Sequence, residues 1–214
     1  MAQLIYFDIE TVSGHRRYED LSQSLQGLWD KKCSSWITEE KSSAELYAER
    51  AGIYAEFGKI VCISCGYYTP EHEFITQSFF WDDEHTLMSE FFSFLTNYGD
   101  IVLCGHNSKE FDIPYVCRRG LILWLTLPWS LQLRDKKPRE IGHKDTMEMW
   151  KFGDYKNYTS LALLCEIFWI PTSKVDINGS EVGRVYWEEN DLDRIVIYCE
   201  KDILATAQLY QKLR

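Results

Sequence analysis

Positive charge is in short supply: 23 Lys and Arg stand against 33 Asp and Glu, and the net charge is −10. Phosphate contacts come chiefly from Lys and Arg, so this balance argues against a protein that coats duplex nucleic acid non-specifically. No secretory leader is expected, because Met1-Ala2-Gln3 runs into an apolar segment with no basic head and no cleavage site. Nor is there an apolar run of the ~20 residues that a bilayer-spanning helix needs. The longest, Gly120 to Leu133, contains Pro128 and is expected to form core or a partner surface, with no membrane association. Internal repeats and low-complexity tracts are lacking. The seven cysteines are odd in number. Most of them, Cys62, Cys104, Cys117, Cys165 and Cys199, lie in apolar surroundings where a thiol acts as a small hydrophobe, which points to a reducing cytoplasm. Cys62-x-x-Cys65 has no second ligand pair, and a three-residue offset in a strand sends the two thiols to opposite faces, so zinc is not expected there.

What is present can build a substantial core. The chain has 214 residues, 45% of them hydrophobic, with eight Trp, 13 Tyr and 11 Phe, the size of one generous domain spanning 1–214. Apolar periodicity predicts a strand at Leu4 to Ile9, then a mostly polar helical insertion at about 14–58. Paired strands follow at Lys59 to Tyr68 and Glu73 to Phe80, then a helix from Glu84 to Tyr98 and a strand from Ile101 to Cys104. Further on, the pattern predicts a helix after Asp112, a short strand near Asp145, a helix from Ser160 to Ile167, a loop around Gly179 and a final helix from Asp191 to Leu213. Strands interleaved with helices imply an α/β fold, a mixed sheet covered by helices.

Within this frame, three segments carry chemistry. Asp8 and Glu10 close the run Leu4-Ile5-Tyr6-Phe7-Asp8-Ile9-Glu10, and alternate residues of a strand share a face, so both carboxylates converge. A divalent cation such as Mg2+ or Mn2+ would cancel their repulsion; an isolated Asp-x-Glu can equally be a strand that ends in two solvated acids. The second segment is Gly105-His106-Asn107-Ser108-Lys109-Glu110-Phe111-Asp112-Ile113-Pro114. Asp112 suits an N-cap ahead of Ile113-Pro114, a natural first helical turn, but a cap leaves the His-Asn-x-x-x-Phe-Asp string unaccounted for. In the third, Tyr198-Cys199-Glu200-Lys201-Asp202, four-residue spacing puts phenol and carboxylate on one helix face, an arrangement that also arises by accident on amphipathic helices.

In that order, Asp8 and Glu10, Asp112, then Tyr198 and Asp202 resemble the motifs of the DEDD 3′-5′ exonuclease superfamily. Tyr198 places the resemblance in the tyrosine subgroup (DEDDy), because a histidine version would have His where this chain has Ile197. Within it the chain looks most like stand-alone domains similar to the proofreading exonuclease domain of family-B DNA polymerases. Ala55 to Ser64, His143 to Met147, Lys156 to Leu161 and Lys174 to Ser180 look like recurring segments of that family. One departure is Phe168-Trp169, where such domains commonly carry Leu-Gly before Ile-Pro; without that glycine the helix is expected to end by another device.

The resemblance implies a ribonuclease H-like fold with the acids at one edge of a mixed β-sheet flanked by α-helices. It also implies two-metal-ion hydrolysis, with two divalent cations, Mg2+ or Mn2+, ~3.5–4 Å apart. Asp8 would bridge both ions, Glu10 and Asp202 would complete the nucleophile-side ion, and Asp112 would hold the leaving-group-side ion. A phenol of pKa near ~10 is no strong base, so Tyr198 would orient the attacking water. Asn107 and Phe111 are candidates for gripping the terminal nucleotide by hydrogen bonding and stacking, Phe111 with core packing as its alternative. Lys109 forms one basic patch, beside His15-Arg16-Arg17 and the loop Arg134 to Arg139 with Lys144. Asp145 is a possible extra acid for which a structural role is expected. The implied activity is 3′-5′ release of nucleotides from the 3′ end of single-stranded DNA, any proofreading being supplied in trans to a polymerase or repair partner. The alternatives are an RNA 3′-5′ exonuclease, distinguished by contacts to the 2′-OH, and a non-catalytic nucleic-acid-binding module.

Overall fold

The computed structural model describes residues 2–137, 140–154, 156–171 and 176–214. Pro138 and Arg139 of the expected basic loop, and Lys174 and Val175 of the fourth family-like segment, lie outside them. The fold is α/β, as expected, with a five-stranded mixed sheet in the order β3-β2-β1-β4-β5. These strands are β1 (Gln3–Ser13), β2 (Gly58–Tyr68), β3 (Phe74–Phe80), β4 (Ile101–Gly105) and β5 (Lys144–Asp145). β1 runs antiparallel to β2 and parallel to β4.

Alternation along β1 divides the protein into two layers. Ile5, Phe7 and Ile9 point into the main core against Leu87, Phe91 and Leu95 of α3 (Glu84–Tyr98) and Ile113 and Val116 of α4 (Asp112–Ile122). The other face meets α8 (Leu192–Leu213): Tyr6 packs with Ile203 and Ala207, and Val12 with Ile195 and Cys199. Asp8 and Glu10 share this second face, between the two apolar patches.

The expectation that β1 ends at Ile9 and frees both acids at its tip is not met. β1 continues to Ser13, and Asp8 and Glu10 lie inside the β1–β2 ladder opposite Ser64 and Cys62, just before a register shift at Glu10/Thr11. What ends is the neighbour: β4 pairs with β1 only from Gln3 to Tyr6. Past Tyr6 the edge of β1 lies open, and the carboxylate of Asp112 accepts the Ile9 N–H at 3.3 Å in place of a strand.

Asp112 is therefore not the N-cap of α4. That position is Phe111, and Asp112 is the first helical residue. The helix is fixed further along by Arg119, whose guanidinium forms a buried pair with Glu84 of α3 and donates to the Ala55 carbonyl at 2.7 Å. The Glu84 carboxylate also accepts the Ile60 N–H at 2.8 Å, so this buried pair is well hydrogen-bonded and locks α3, α4 and β2 together.

Between β1 and β2, in the segment expected to be helical, α1 (Gln23–Cys33) and α2 (Ser43–Arg50) pack on each other through Trp29, Cys33, Leu46 and Tyr47. Two elements were not anticipated: α5 (Thr146–Lys151), and α7 (Val182–Arg184) running into a π turn at Val185–Glu189. The apolar stretch 120–133 splits both ways, with Leu127 and Leu131 in the core and Trp124 and Trp129 exposed. No helix among the described residues is long and apolar enough to cross a membrane.

The end of α6 (Leu161–Phe168) corrects a second expectation. The helix does not use a different device for want of glycine. Trp169 itself takes the left-handed C-cap conformation, φ 53° and ψ 43°, and Ile170 N–H closes onto the Cys165 carbonyl at 2.8 Å. A side chain in that region costs ~1 kcal/mol over glycine. Trp169 is also 92% exposed, so its ring recovers little of that by packing. Trp169→Gly is expected to raise stability by ~1 kcal/mol, read as a higher denaturant midpoint at unchanged slope; a lower midpoint would mean that the ring holds the helix end.

Candidate active site

β1, the turn after β4, the start of α6 and one face of α8 meet at a cleft of about 230 Å3, lined by Asp8, His106, Tyr158, Ser160, Tyr198 and Asp202 among others. Glu10 and Asp112 are buried. α8 brings Tyr198 and Asp202 together by its i, i+4 geometry, and the phenol is hydrogen-bonded to that carboxylate. The structure thus brings together the four acids and the phenol named by the motifs.

Three of these acids, Asp8, Glu10 and Asp112, crowd one another in a buried setting. Burial, then the charges of Asp112 and Asp202, pushes the Asp8 carboxyl well above the usual carboxylate range. Glu10 is raised in the same way by burial and then by Asp8 and Asp202. Burial lifts Asp112 to about 7 against the pull of its backbone hydrogen bonds. Among the described residues no Lys or Arg pairs with Asp8, Glu10 or Asp112. Tyr198 is pushed far above the ordinary phenol range by burial and by Asp202, Glu10 and Asp8, so it stays protonated and acts as a donor.

One residue that sequence reasoning did not place here is Cys199. Its Sγ lies 3.7 Å from Asp8 Oδ2 as a donor, and burial holds the thiol protonated. One ligand atom from each of Asp8, Glu10 and Cys199 falls within 4.8 Å of the others, close enough to share one ion. A crowded set rich in carboxylate oxygens, with no basic partner among the described residues, fits a hard divalent cation.

His106 was read only as part of a string, and it ties the cleft together. Nε2 donates to the Thr159 carbonyl at 2.8 Å and Nδ1 meets Thr146 Oγ1 at 2.9 Å, while burial lowers its pKa and keeps it neutral. Asp145 takes the structural role expected of it. Its carboxylate accepts the N–H groups of Asn107, Lys109, Met147 and Glu148 at 2.9–3.2 Å, fixing the turn at 106–109 to the start of α5.

The three expected substrate-gripping residues lie elsewhere. Asn107, with φ 64°, lines a second recess of about 340 Å3 rather than the acid cleft. Lys109 lines that recess too and is paired with Glu148 at 2.6 Å. Phe111 packs on the main core and against Tyr115, with ring centroids 5.5 Å apart. Of the other basic patches, Arg17 is paired with Asp20 at 2.9 Å.

Comparison with known proteins agrees with this geometry. No curated protein gives a significant match. Among solved structures, the family B DNA polymerase of the hyperthermophilic archaeon Pyrobaculum calidifontis superposes with a TM-score of 0.62 at 17% identity. The match covers 100% of this chain but 24% of the polymerase, and at that identity it shows the shared fold, of ribonuclease H-like architecture. A family model described as "Predicted 3'-5' exonuclease related to the exonuclease domain of PolB" matches residues 53–214, a span that includes Asp112, Tyr198 and Asp202 and begins after Asp8 and Glu10. The chain therefore belongs to this family of DEDDy-like 3′-5′ exonuclease domains related to the exonuclease domain of PolB.

Proposed function

We propose that the chain forms a single catalytic domain that removes nucleotides one at a time from the 3′ end of single-stranded DNA by metal-dependent phosphodiester hydrolysis. The observation that carries this reading is the convergence of Asp8, Glu10, Asp112 and Asp202 with no basic counter-charge on the first three among the described residues, an arrangement that cations would stabilise. Two Mg2+ or Mn2+ ions held by these four carboxylates would neutralise the scissile phosphate and lower the pKa of a bound water.

The protein's own groups supply orientation. Tyr198 remains a protonated donor next to Asp202 and Asp8, so it positions the attacking water and takes no proton from it. Neutral His106 braces the wall that carries Thr159 and Ser160. A frayed terminal nucleotide can reach the acids directly, whereas a paired end must first unstack, and a chain of net charge −10 offers little binding energy to drive that opening. DNA is favoured over RNA by the family's relation to a DNA polymerase domain, and any polymerase or repair partner would act in trans.

End-labelled single-stranded DNA and RNA of one sequence, incubated with Mn2+ or Mg2+ and resolved by length, test the proposal. A ladder that shortens from the 3′ end, faster on DNA than on RNA and faster than on blunt duplex, is expected. Shortening from the 5′ end overturns the directionality, and faster release from RNA makes the protein an RNA exonuclease. Tyr198→Phe removes one orienting hydrogen bond and should slow release about threefold to tenfold, with oligonucleotide affinity kept. Collapse of binding would show that the phenol is structural.

A further inference from the structure

The second recess adjoins the acid cleft. His106 lines the cleft and Asn107, next in sequence, lines the recess, so one turn forms a wall of each. Lys109 and Lys151 also line the recess, together with Glu110, Glu148 and Asp145, the last already engaged by four backbone N–H groups. The two lysine side chains are only 11% and 12% exposed, and they pair with Glu148 and Glu110, acids that stand out in solvent. Exposed carboxylates contribute little to such pairs and swing away at low cost. With Glu110 and Glu148 swung out, two lysines held in place would be left to meet phosphates.

Between its recess-lining neighbours Lys151 and Gly153 stands Phe152. It is 88% exposed and holds a left-handed backbone, φ 44°, so the ring gains little from burial and the backbone favours glycine. Tyr158, 68% exposed, lines the acid cleft. Aromatic faces interleaved with cations are the chemistry of single-strand binding.

We propose that single-stranded DNA with its 3′ nucleotide in the acid cleft continues over Tyr158 and Phe152 into the recess, where bases stack on the two rings and Lys109 and Lys151 take the phosphates. The path rests on the exonuclease reading for its occupant and polarity. It also accounts for how an acidic protein grips a polyanion: two lysines take phosphates, and π faces supply the rest.

Fluorescence anisotropy of labelled oligo(dT) in EDTA isolates this grip from hydrolysis. Phe152→Gly suits the left-handed backbone, so its melting temperature should stay at or above that of the wild type while affinity falls about fivefold to a hundredfold. Trp169→Gly is a matched control, similarly left-handed and exposed but lining neither the cleft nor the recess, and should bind like the wild type. Lys109→Gln combined with Lys151→Gln should flatten the slope of log affinity against log salt by about 1.4. Wild-type affinity in Phe152→Gly, equal loss in Trp169→Gly, an unchanged salt slope, or no binding by the wild type would each overturn the path. Hydrolysis with no effect of these variants would leave the exonuclease standing and the path wrong; the expected binding losses without hydrolysis would do the reverse.

Discussion

Asp8→Asn is expected to cut metal-dependent nucleotide release at least about a thousandfold, the equivalent of ~4 kcal/mol of lost charge stabilisation in the transition state. The substitution keeps the volume of the side chain and its place on β1, opposite Ser64, but removes an anionic oxygen from the centre of the cluster. Asp202→Asn on α8 should be as severe. The measurement is the initial rate of 3′ shortening in Mn2+ for purified variants whose circular dichroism matches the wild type. Near-wild-type release by either folded variant would sink the assignment of these acids.

Without divalent metal the protein should lose stability as pH rises through neutrality. Asp8, Glu10 and Asp112 all have folded-state pKa values above their ordinary ones. The folded protein therefore keeps protons that the unfolded chain has already released. That stabilisation is complete below the ordinary carboxylate pKa and disappears as pH climbs past the raised values. For Asp112 the interval from 3.8 to about 7 corresponds to about 4 kcal/mol, lost between roughly pH 4 and pH 8. Mg2+ or Mn2+ should reverse the loss. At a hundred times Kd, binding to the folded state adds about 2.7 kcal/mol, or about 5–10 °C in Tm for a domain of this size, with the largest gain at high pH, where the carboxylates are ionised. Asp8→Asn should melt above the wild type in EDTA at pH 8 and respond weakly to metal. Thermal melts from pH 5 to 9, with EDTA and with Mn2+, check all of this; a flat pH profile with no metal response would count against a metal site.

Much of the site was legible because its parts obey short-range rules. Period-two alternation put Asp8 and Glu10 on one face of β1 with Tyr6 and Val12, and period-3.6 alternation put Tyr198 and Asp202 on one face of α8. The break after β4, rich in glycine, asparagine and serine, marked the turn before Asp112. What remained hidden depends on contacts far apart in sequence. Cys199 reaches Asp8 across 191 residues, and no local pattern signals it. α5 has only six residues and depends on the Asp145 cap, while α7 and its π turn are held by Val182 and Val185 in a cluster with Ile195. Asn107 and Lys109 fell close to the motif in sequence, yet the left-handed turn at Asn107 sends them to the neighbouring recess. Trp169 was misread because composition names glycine as the usual left-handed cap, and this chain tolerates the strain.

β1 precedes the other strands in sequence yet occupies the middle of the sheet. Its antiparallel partner β2 begins at Gly58, its parallel partner β4 at Ile101, and the helix that covers its acidic face at Leu192. Non-local pairings of this kind form late, after most of the chain is available. Until α8 docks, Asp8 and Glu10 lack Asp202 and Tyr198, so nascent or prematurely ended chains hold at most a partial ligand set. A copy that stops short of α8 is therefore expected to lack the proposed activity: the full ligand set forms only when α8 docks on β1.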